Sequence, residues 1–288
     1  MDGMVNAETP ATAGMGQGIR AGDRGTVVVV TSGKGGVGKS TSSTALGAAL
    51  AMLGDSVVMI DFDIGLRKLD LMVGAERQVV YDMIDVIEGR GNLNQALVLA
   101  KQVPGLSLLP ASSVRDKNAL TGPGVRRIID ELATRFRWVI CDSPAGIEAG
   151  AEMAMMEADV AVVVVNPEVA SVRDSDRIIG LLDSKPRRAR EGGHIEKHLL
   201  VTRYDPKRAS RAQMMTTDQI VSVLDIPLLG VIPESMDILD SSNIGRPVTF
   251  NKPGGETAKA YVRAARKLRG EVETKAKPGI LRRLFGRD

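Results

Sequence analysis

The chain has 288 residues, of which 43% are apolar and 25% charged, a composition typical of globular proteins. Its single cysteine, Cys141, excludes an intrachain disulfide and any metal or cluster site that needs several cysteines. The net charge of +3 is uneven: residues 275–288 hold five basic side chains and one acid, so they carry +4 and the remainder sums to −1. A uniformly basic, nucleic-acid-binding body is therefore not indicated.

Residues 1–25 are rich in Gly, Ala, Met and Thr and lack hydrophobic periodicity, so we predict a disordered N-terminal extension there. They contain no apolar signal core. No stretch of the chain reaches the ~18 consecutive apolar residues that a membrane-spanning helix needs.

Beyond residue 25, short β-branched runs alternate with segments of helical periodicity. Several runs are apolar at consecutive positions, which is the pattern of strands buried on both faces of a parallel sheet. This alternation of strands and helices predicts an α/β fold over residues 26–270, in which helices flank a doubly wound and mostly parallel sheet. A linker at 271–278 and a short helix at 279–288 are predicted to follow. The predicted strands are Thr26–Thr31, Val57–Asp61, Leu106–Leu109, Trp138–Asp142, Val160–Val165, Leu199–Arg203 and Leu228–Ile232.

A phosphate-binding loop is predicted by Val27–Thr41, which reads VVVVTSGKGGVGKST. The segment fits the P-loop pattern G-x-x-x-x-G-K-[ST] between a strand and a helix, where backbone N–H groups bind the phosphates of a nucleotide such as ATP. Lys39 would neutralise the β- and γ-phosphates, and the Ser40 hydroxyl would bind Mg²⁺. The nucleotide-binding residues predicted by this pattern are Gly35, Gly36, Val37, Gly38, Lys39, Ser40 and Thr41, whereas an ordinary P-loop does not require a lysine at the position of Lys34.

Acidic residues stand at the ends of two other predicted strands. Asp61 and Asp63 follow the second strand, and Asp142 ends the strand that begins at Trp138. Open α/β sheets bind ligands at the carboxyl ends of their strands. An acid at the end of the second strand can orient the attacking water or hold a Mg²⁺-bound water, and we predict that Asp63 is the catalytic residue. We predict that Asp142 is the Walker B carboxylate, which holds Mg²⁺ through water. The alternative for Asp61 and Asp63 is a pair of loop acids that cap the next element.

The segment GKGGVGKST resembles the deviant Walker A motif of the ParA/MinD superfamily of P-loop ATPases. In that superfamily the additional lysine, Lys34 here, crosses the interface of an ATP-sandwiched homodimer and contacts phosphate on the partner subunit. The resemblance thus implies that Lys34 is both a nucleotide-binding and a catalytic residue; the alternative is a solvated surface lysine. Similarity to the MinD family in particular runs from about Thr26 to the C-terminus, through VVYD, LNQAL, LPAS, DSPAGIE, NPEVASVRDSDRIIG and GVIPE.

Two positions depart from the MinD pattern. Ser40 stands where that family usually has Thr, and Lys68 stands where it usually has Asn after G-L-R, so the role of the Lys68 side chain stays open. Flagellar-number ATPases, which also carry a membrane-binding C-terminus, and DNA-partition ATPases of the ParA type are the alternatives. The cluster-binding members of the superfamily are excluded because they need several cysteines.

The C-terminal residues predict an amphipathic helix at a membrane surface. At about 100° per residue, the apolar side chains fall in one arc and the arginines in another. A terminal helix docked on its own domain, or a disordered basic end, remains an alternative. The apolar arc is Ile280, Leu281, Leu284 and Phe285, and the basic arc is Arg282, Arg283 and Arg287.

The MinD resemblance implies a membrane-associated ATPase that dimerises on ATP and recruits the septum inhibitor MinC to place the division site. Release would follow when MinE stimulates hydrolysis. The implied location is the cytoplasm and the cytoplasmic face of the inner membrane, with an anionic membrane surface as partner and no specific nucleic acid.

The segment Ser171–Asp176 looks like a helix start, with Ser171 as N-cap and Asp174 in the first turn. The resemblance implies that Asp174 and Asp176 lie on the face that meets MinC and MinE. It also implies that Arg203 and Pro233–Glu234 lie near the adenine.

Overall fold

A computed structural model describes residues 23–115 and 117–271 of the chain. Of the predicted N-terminal extension these include only residues 23–25, and of the linker only Glu271; the predicted C-terminal helix lies outside them. No helix among the described residues is long and apolar enough to cross a membrane.

The described strands form a sheet in the order β3-β4-β2-β5-β1-β6-β7-β8. All neighbours pair in parallel except β3, a two-residue edge strand that is antiparallel to β4. The strands are β1 (Thr26–Thr31), β2 (Val57–Asp61), β3 (Val98–Leu99), β4 (Leu106–Leu109), β5 (Trp138–Asp142), β6 (Val160–Val165), β7 (Glu196–Tyr204) and β8 (Leu228–Pro233).

The predicted doubly wound α/β fold is confirmed, and five of the seven predicted strands have the predicted bounds. β7 begins earlier than predicted because its first residues, Glu196 to His198, are polar yet pair in register with Val160 to Val162 of β6. β8 extends by one residue to Pro233. The β3 strand was not predicted, since two residues are too few to show a periodicity.

Helices cover both faces of the sheet. They are α1 (Lys39–Met52), α2 (Leu69–Met72), α3 (Met83–Ile87), α4 (Leu93–Ala96), α5 (Gly122–Ala133), α6 (Ala149–Met155), α7 (Val169–Leu182), α8 (Arg187–Arg190), α9 (Pro206–Ser210), α10 (Thr217–Leu224), α11 (Met236–Asn243), α12 (Val248–Asn251) and α13 (Glu256–Leu268). Two short 3₁₀ helices, Glu76–Gln78 and Lys117–Ala119, lie between them.

Successive residues of the central strand pack into two different hydrophobic cores. Val27 and Val29 of β1 belong to the core under α3, α5, α6, α7 and α10. Val28 and Val30 belong to the core under α1, α2, α12 and α13. Because both faces are covered, the strand has no polar position to alternate with the apolar ones, and this explains its continuous valine run.

The α1 helix is almost wholly buried between the sheet and α13, and it begins directly beyond the carboxyl end of β1. Small residues allow this close approach: a Cβ atom on Gly47 would lie 3.1 Å from the sulfur of Met59. The parallel strands β2 and β5 end side by side, with Asp61 opposite Asp142 in the register. The fold therefore brings the start of α1 and two carboxylates to the same edge of the sheet.

Candidate nucleotide site

The loop from Ser32 to Gly38 joins β1 to α1 and contains two glycines in the left-handed backbone region, Gly36 at φ 77° and Gly38 at φ 101°. Residues other than glycine are strained in this region, so the backbone conformation of the loop requires glycine at both positions. Gly38 is also the N-cap of α1. The loop thus ends on the N-terminus of a buried helix, where free N–H groups and the helix dipole favour a bound anion.

Lys39, the first residue of α1, is only 8% exposed, and its Nζ donates to Ser32 Oγ at 3.0 Å. The Ser32 hydroxyl in turn donates to the Lys34 carbonyl at 2.7 Å, so the lysine is held within its own loop. Burial lowers the pKa of Lys39, while the carboxylates of Asp142 and Asp63 act in the opposite direction. This ammonium group is enclosed and has lost most of its hydration, so an anion in the loop would be a strong partner for it.

Asp142 accepts hydrogen bonds from two hydroxyl groups of α1, Ser40 Oγ and Ser43 Oγ, both at 2.7 Å. Burial, and secondarily the neighbouring Asp61, raises the pKa of Asp142 to about 7. The side chain is therefore a carboxylate that lacks enough positive charge nearby to stay ionised below neutral pH.

Asp61 fixes the loop between β2 and α2. Its two carboxylate oxygens accept the backbone N–H groups of Asp63 at 2.9 Å, Lys68 at 3.0 Å and Leu69 at 3.2 Å. Burial raises the pKa of Asp61 and these three hydrogen bonds oppose that shift. Asp63 is then left at the edge of the site with a partly exposed side chain, whose Oδ2 accepts from Lys68 Nζ at 2.8 Å.

The donor set at this edge fits Mg²⁺. Ser40 and Asp142 offer only oxygen atoms, which a hard cation prefers, and Asp142 lacks the counter-charge that a divalent ion would supply. The described residues hold no cluster of three or more His, Cys, Asp or Glu side chains suited to a metal.

Lys34 lies at the mouth of the loop, where its Nζ forms an ion pair with Glu168 Oε2 at 2.7 Å. The lysine side chain is 40% exposed, in contrast to the enclosed Lys39. The hydrogen bond from Lys34 is the main reason that the pKa of Glu168 is lowered. Glu168 was not predicted as a site residue, although it follows the carboxyl end of β6, where such residues are expected.

Thr202 of β7 is a second residue that sequence reasoning missed. Its buried hydroxyl donates to the carbonyl of Val37 at 2.7 Å and is 3.2 Å from that of Val165. The bond ties the phosphate-binding loop to a strand 165 residues away. A threonine near the end of a strand is too common to signal this role.

Arg203 and Glu234, predicted to lie near a base, line the same small pocket of about 110 Å³ together with Asn166 and Glu168. The pocket is next to the mouth of the loop because Glu168 belongs to both. The structure therefore brings these two residues to the site.

The α7 helix begins at Val169 with Glu168 as N-cap, so the prediction that Ser171 caps it is wrong. The Ser171 hydroxyl instead accepts the N–H of Asn166 at 3.4 Å and closes the turn that leaves β6. Asp174 lies beyond the first turn, and both Asp174 and Asp176 are exposed.

The family described as "ParA: NUBPL iron-transfer P-loop NTPase" matches residues 24–269. The septum site-determining protein MinD of Escherichia coli strain K12 is 51% identical over 267 residues, covering 90% of this chain and 98% of that protein. The chain belongs to the MinD family of ParA-type P-loop ATPases. A second relative, MinD of Neisseria meningitidis serogroup B, is 49% identical over 269 residues and is likewise described as a septum site-determining protein.

Solved MinD structures have the same fold. MinD in the MinC:MinD cell division protein complex of Aquifex aeolicus superimposes with a TM-score of 0.75 at 39% identity, covering 86% of this chain and 96% of that one. MinD of Pyrococcus horikoshii complexed with Mg-ADP gives 0.75 at 27% identity, covering 84% and 95%. The family description also names iron transfer; this sequence has one cysteine, Cys141, and that residue is buried.

Proposed function

We propose that this MinD-family ATPase dimerises on ATP, binds the inner membrane through its C-terminal residues, recruits MinC, and is released when MinE stimulates hydrolysis. The observation that carries the proposal is the different placement of the two loop lysines. Lys39 is enclosed beside the phosphate-binding loop, whereas Lys34 is exposed at its mouth. An enclosed lysine suits the nucleotide of its own chain, and an exposed one suits a phosphate presented by a second chain.

In the proposed site, backbone N–H groups from Gly35 to Thr41 bind the phosphates of ATP, and Lys39 neutralises the β- and γ-phosphates. Ser40 and, through water, Asp142 would hold Mg²⁺. Mg²⁺ supplies positive charge that offsets the negative charge developing on the phosphate oxygens. The Mg-ADP complex of the Pyrococcus horikoshii protein supports this cofactor assignment.

Asp63 is the residue that we assign to the attacking water. Its side chain is 17% exposed, and it shares an electrostatic environment with Lys39. As the water oxygen bonds to the γ-phosphorus, the bond to the β–γ bridging oxygen breaks, and the water proton leaves with inorganic phosphate. A carboxylate that orients this water needs correct placement more than strong basicity, because the transition state is loose. Lys34 of the second chain would add positive charge at the same moment.

The C-terminal residues, which lie outside the described part of the chain, are proposed to make membrane binding depend on ATP. Each apolar side chain gains at most ~1.5–3 kcal/mol on full burial, and each arginine adds about 1 kcal/mol beside anionic lipid. Ordering a short segment opposes these gains, so one copy would bind weakly. Two copies on one dimer would raise the avidity by roughly 10²–10⁴.

MinC is the best supported partner, because a MinD relative from Aquifex aeolicus forms a MinC:MinD complex. Exposed carboxylates on α7, Asp174 and Asp176, are the proposed contact face for MinC and MinE. Glu168, the ion-pair partner of Lys34, is the N-cap residue of the same helix. A protein bound to α7 would thus sit close to the lysine that we assign to hydrolysis.

Sedimentation with anionic liposomes tests the proposal. The full chain, a chain truncated after Lys277 and the variant Phe285→Glu are compared with ATP or ADP at two salt concentrations. The truncated chain should bind ATP and dimerise, since the loop, Asp63 and Asp142 lie in the body, but it should not sediment with liposomes. Phe285→Glu should abolish liposome binding, whereas a higher salt concentration should only reduce liposome binding by the full chain. This difference is expected because insertion of the apolar arc, and not charge alone, drives attachment.

Val223→Glu is the matched control, since Val223 is 52% exposed on α10 and far from the C-terminal residues in sequence. This variant should sediment like the wild type. Equal binding by the truncated and intact chains would refute the membrane role. Retention on DNA by the ATP form, without liposome binding, would favour a partition ATPase instead.

A further inference from the structure

The loop between β2 and α2 keeps its backbone conformation without help from the Lys68 side chain. Three backbone N–H groups of the loop, including that of Lys68 itself, donate to the buried carboxylate of Asp61. The side chain of the preceding Arg67 is also engaged, donating to Asp70 at 2.6 Å and to the Glu76 carbonyl at 3.0 Å. Replacing the Lys68 side chain would leave all of these bonds in place.

The Lys68 side chain is directed to one place, the carboxylate of Asp63, with Nζ 2.8 Å from Oδ2. It is 49% exposed, so it makes little contribution to packing. Among residues 23–115 and 117–271, Lys68 is the residue whose side chain donates a hydrogen bond to the Asp63 carboxylate. The backbone N–H of Asp63 is separately held by Asp61, which leaves rotation of its side chain as the remaining freedom.

Lys68 is also part of the electrostatic field of the phosphate site. Burial is the main cause of the lowered pKa of Lys39; the negative charges of Asp142 and Asp63 oppose it, and the positive charge of Lys68 adds a smaller lowering. Lys68 and Asp63 therefore act on the enclosed lysine in opposite directions, and both lie close enough to the phosphate site to affect it. An isolated surface ion pair on the far side of the molecule would have no such connection.

We propose that Lys68 is a positioning residue for ATP hydrolysis, which holds Asp63 by Oδ2 so that Oδ1 faces the attacking water. The inference rests on the proposed role of Asp63. A carboxylate free to rotate spends only part of its time with an oxygen in hydrogen-bonding reach of the water, and small misplacements of such a group slow a reaction strongly. A single cation on one oxygen restricts that rotation and leaves the other oxygen available.

The test compares Lys68→Met and Lys68→Arg with a matched control, Lys259→Met, in the full-length protein. Lys259 is 50% exposed and pairs with Glu256 at 3.0 Å on α13, so its environment is similar but remote from the site. Phosphate release is measured over a range of Mg-ATP concentrations with anionic liposomes present. Lys68→Met should lower kcat about tenfold with KM for ATP unchanged, Lys68→Arg should restore most of the rate, and Lys259→Met should match the wild type.

Three further results discriminate between the explanations. An unchanged kcat in Lys68→Met would overturn the inference. A loss of affinity for ATP but not for ADP would also overturn it, because it would mean that Lys68 contacts the γ-phosphate directly. Equal loss in Lys68→Met and Lys68→Arg, with a lowered melting temperature, would reduce Lys68 to a structural residue.

Asp63→Asn, measured in parallel, separates failure of this inference from failure of the proposed function. If Asp63→Asn is inactive while Lys68→Met is fully active, only the positioning role is refuted. If Asp63→Asn hydrolyses ATP like the wild type, Asp63 has no part in the chemistry and the role of Lys68 falls with it.

Discussion

Gly33 of the phosphate-binding loop lies against the backbone of Asp174 in α7. A Cβ atom added to Gly33 would lie 2.2 Å from both the carbonyl carbon and the carbonyl oxygen of Asp174. The loop therefore contacts directly the helix on which Asp174 and Asp176 are exposed, with no intervening layer. Since packed interfaces resist continuous deformation, a partner that displaces α7 would also displace the loop.

The first prediction concerns this contact. Gly33→Ala should destabilise the nucleotide-free protein by about 1–3 kcal/mol, because the added methyl group has no space and the neighbour is backbone. Gly35→Ala is the control, since its Cβ would meet only the Ala145 methyl at 3.7 Å, an ordinary contact. Chemical denaturation measures both. Equal stability of the two variants would contradict the prediction, because it would show that the loop and α7 can move apart at little cost in free energy.

The second prediction separates two explanations of Lys34. If Lys34 acts across a dimer interface, Lys34→Ala should keep some nucleotide binding but lose ATP-dependent dimerisation and stimulated hydrolysis. Glu168→Gln removes the same ion pair, whose contribution to stability is below about 1 kcal/mol at the surface, and should still dimerise. Analytical ultracentrifugation with ATP decides between them. If both variants dimerise equally, Lys34 is an ordinary loop lysine.

The third prediction is that Asp63→Ala forms a long-lived ATP dimer that accumulates on liposomes. The groups assigned to phosphate binding, Lys39 and Ser40, remain in this variant, whereas the carboxylate that orients the water is gone. Phosphate release and liposome sedimentation are measured on the same sample. Rapid phosphate release by the variant would contradict the assignment.

The fourth prediction is a pH dependence that comes from Asp142. Because burial raises its folded-state pKa to about 7, above the ordinary carboxyl value, the folded protein binds more protons than the unfolded chain between those two values. Without nucleotide, this contribution to stability should therefore be highest at about pH 4 or below, fall by about 2–4 kcal/mol as the pH rises to about 7, and stay level above that. Mg²⁺ with ADP should stabilise more at pH 8 than at pH 6, since a cation requires the charged form.

Asp142→Asn, which cannot ionise, should lose both pH effects. Asp176→Asn, on the exposed face of α7, should retain them. Melting temperatures from about pH 4 to about pH 8, in steps of about one unit that cover the ordinary and the raised pKa values, provide the measurement. An unchanged pH profile in Asp142→Asn would assign the effect to another buried group, of which Asp61 is the nearest candidate.

Much of this protein follows from local sequence patterns. The β-branched runs determined five strands with the observed bounds, since a strand buried on both faces must be apolar at every position. The loop around Gly36 and Gly38 was also predictable, because a sharp turn onto a helix N-terminus requires residues that tolerate positive φ. The carboxylates Asp61 and Asp142 could be assigned to the same edge because parallel strands share the direction of their carboxyl ends.

Other features depended on which segments the tertiary structure brings together. Lys34 and Glu168 are 134 positions apart in the sequence, and Val37 and Thr202 are 165 apart, so no local periodicity could pair them. The wrong prediction of Ser171 as N-cap has the same origin. The Ser171 hydroxyl accepts the N–H of Asn166 in the turn after β6, and the path of the chain at that turn depends on the tertiary structure. Strand identity is encoded locally in side-chain type, whereas the neighbours of a strand or loop depend on how the whole chain packs.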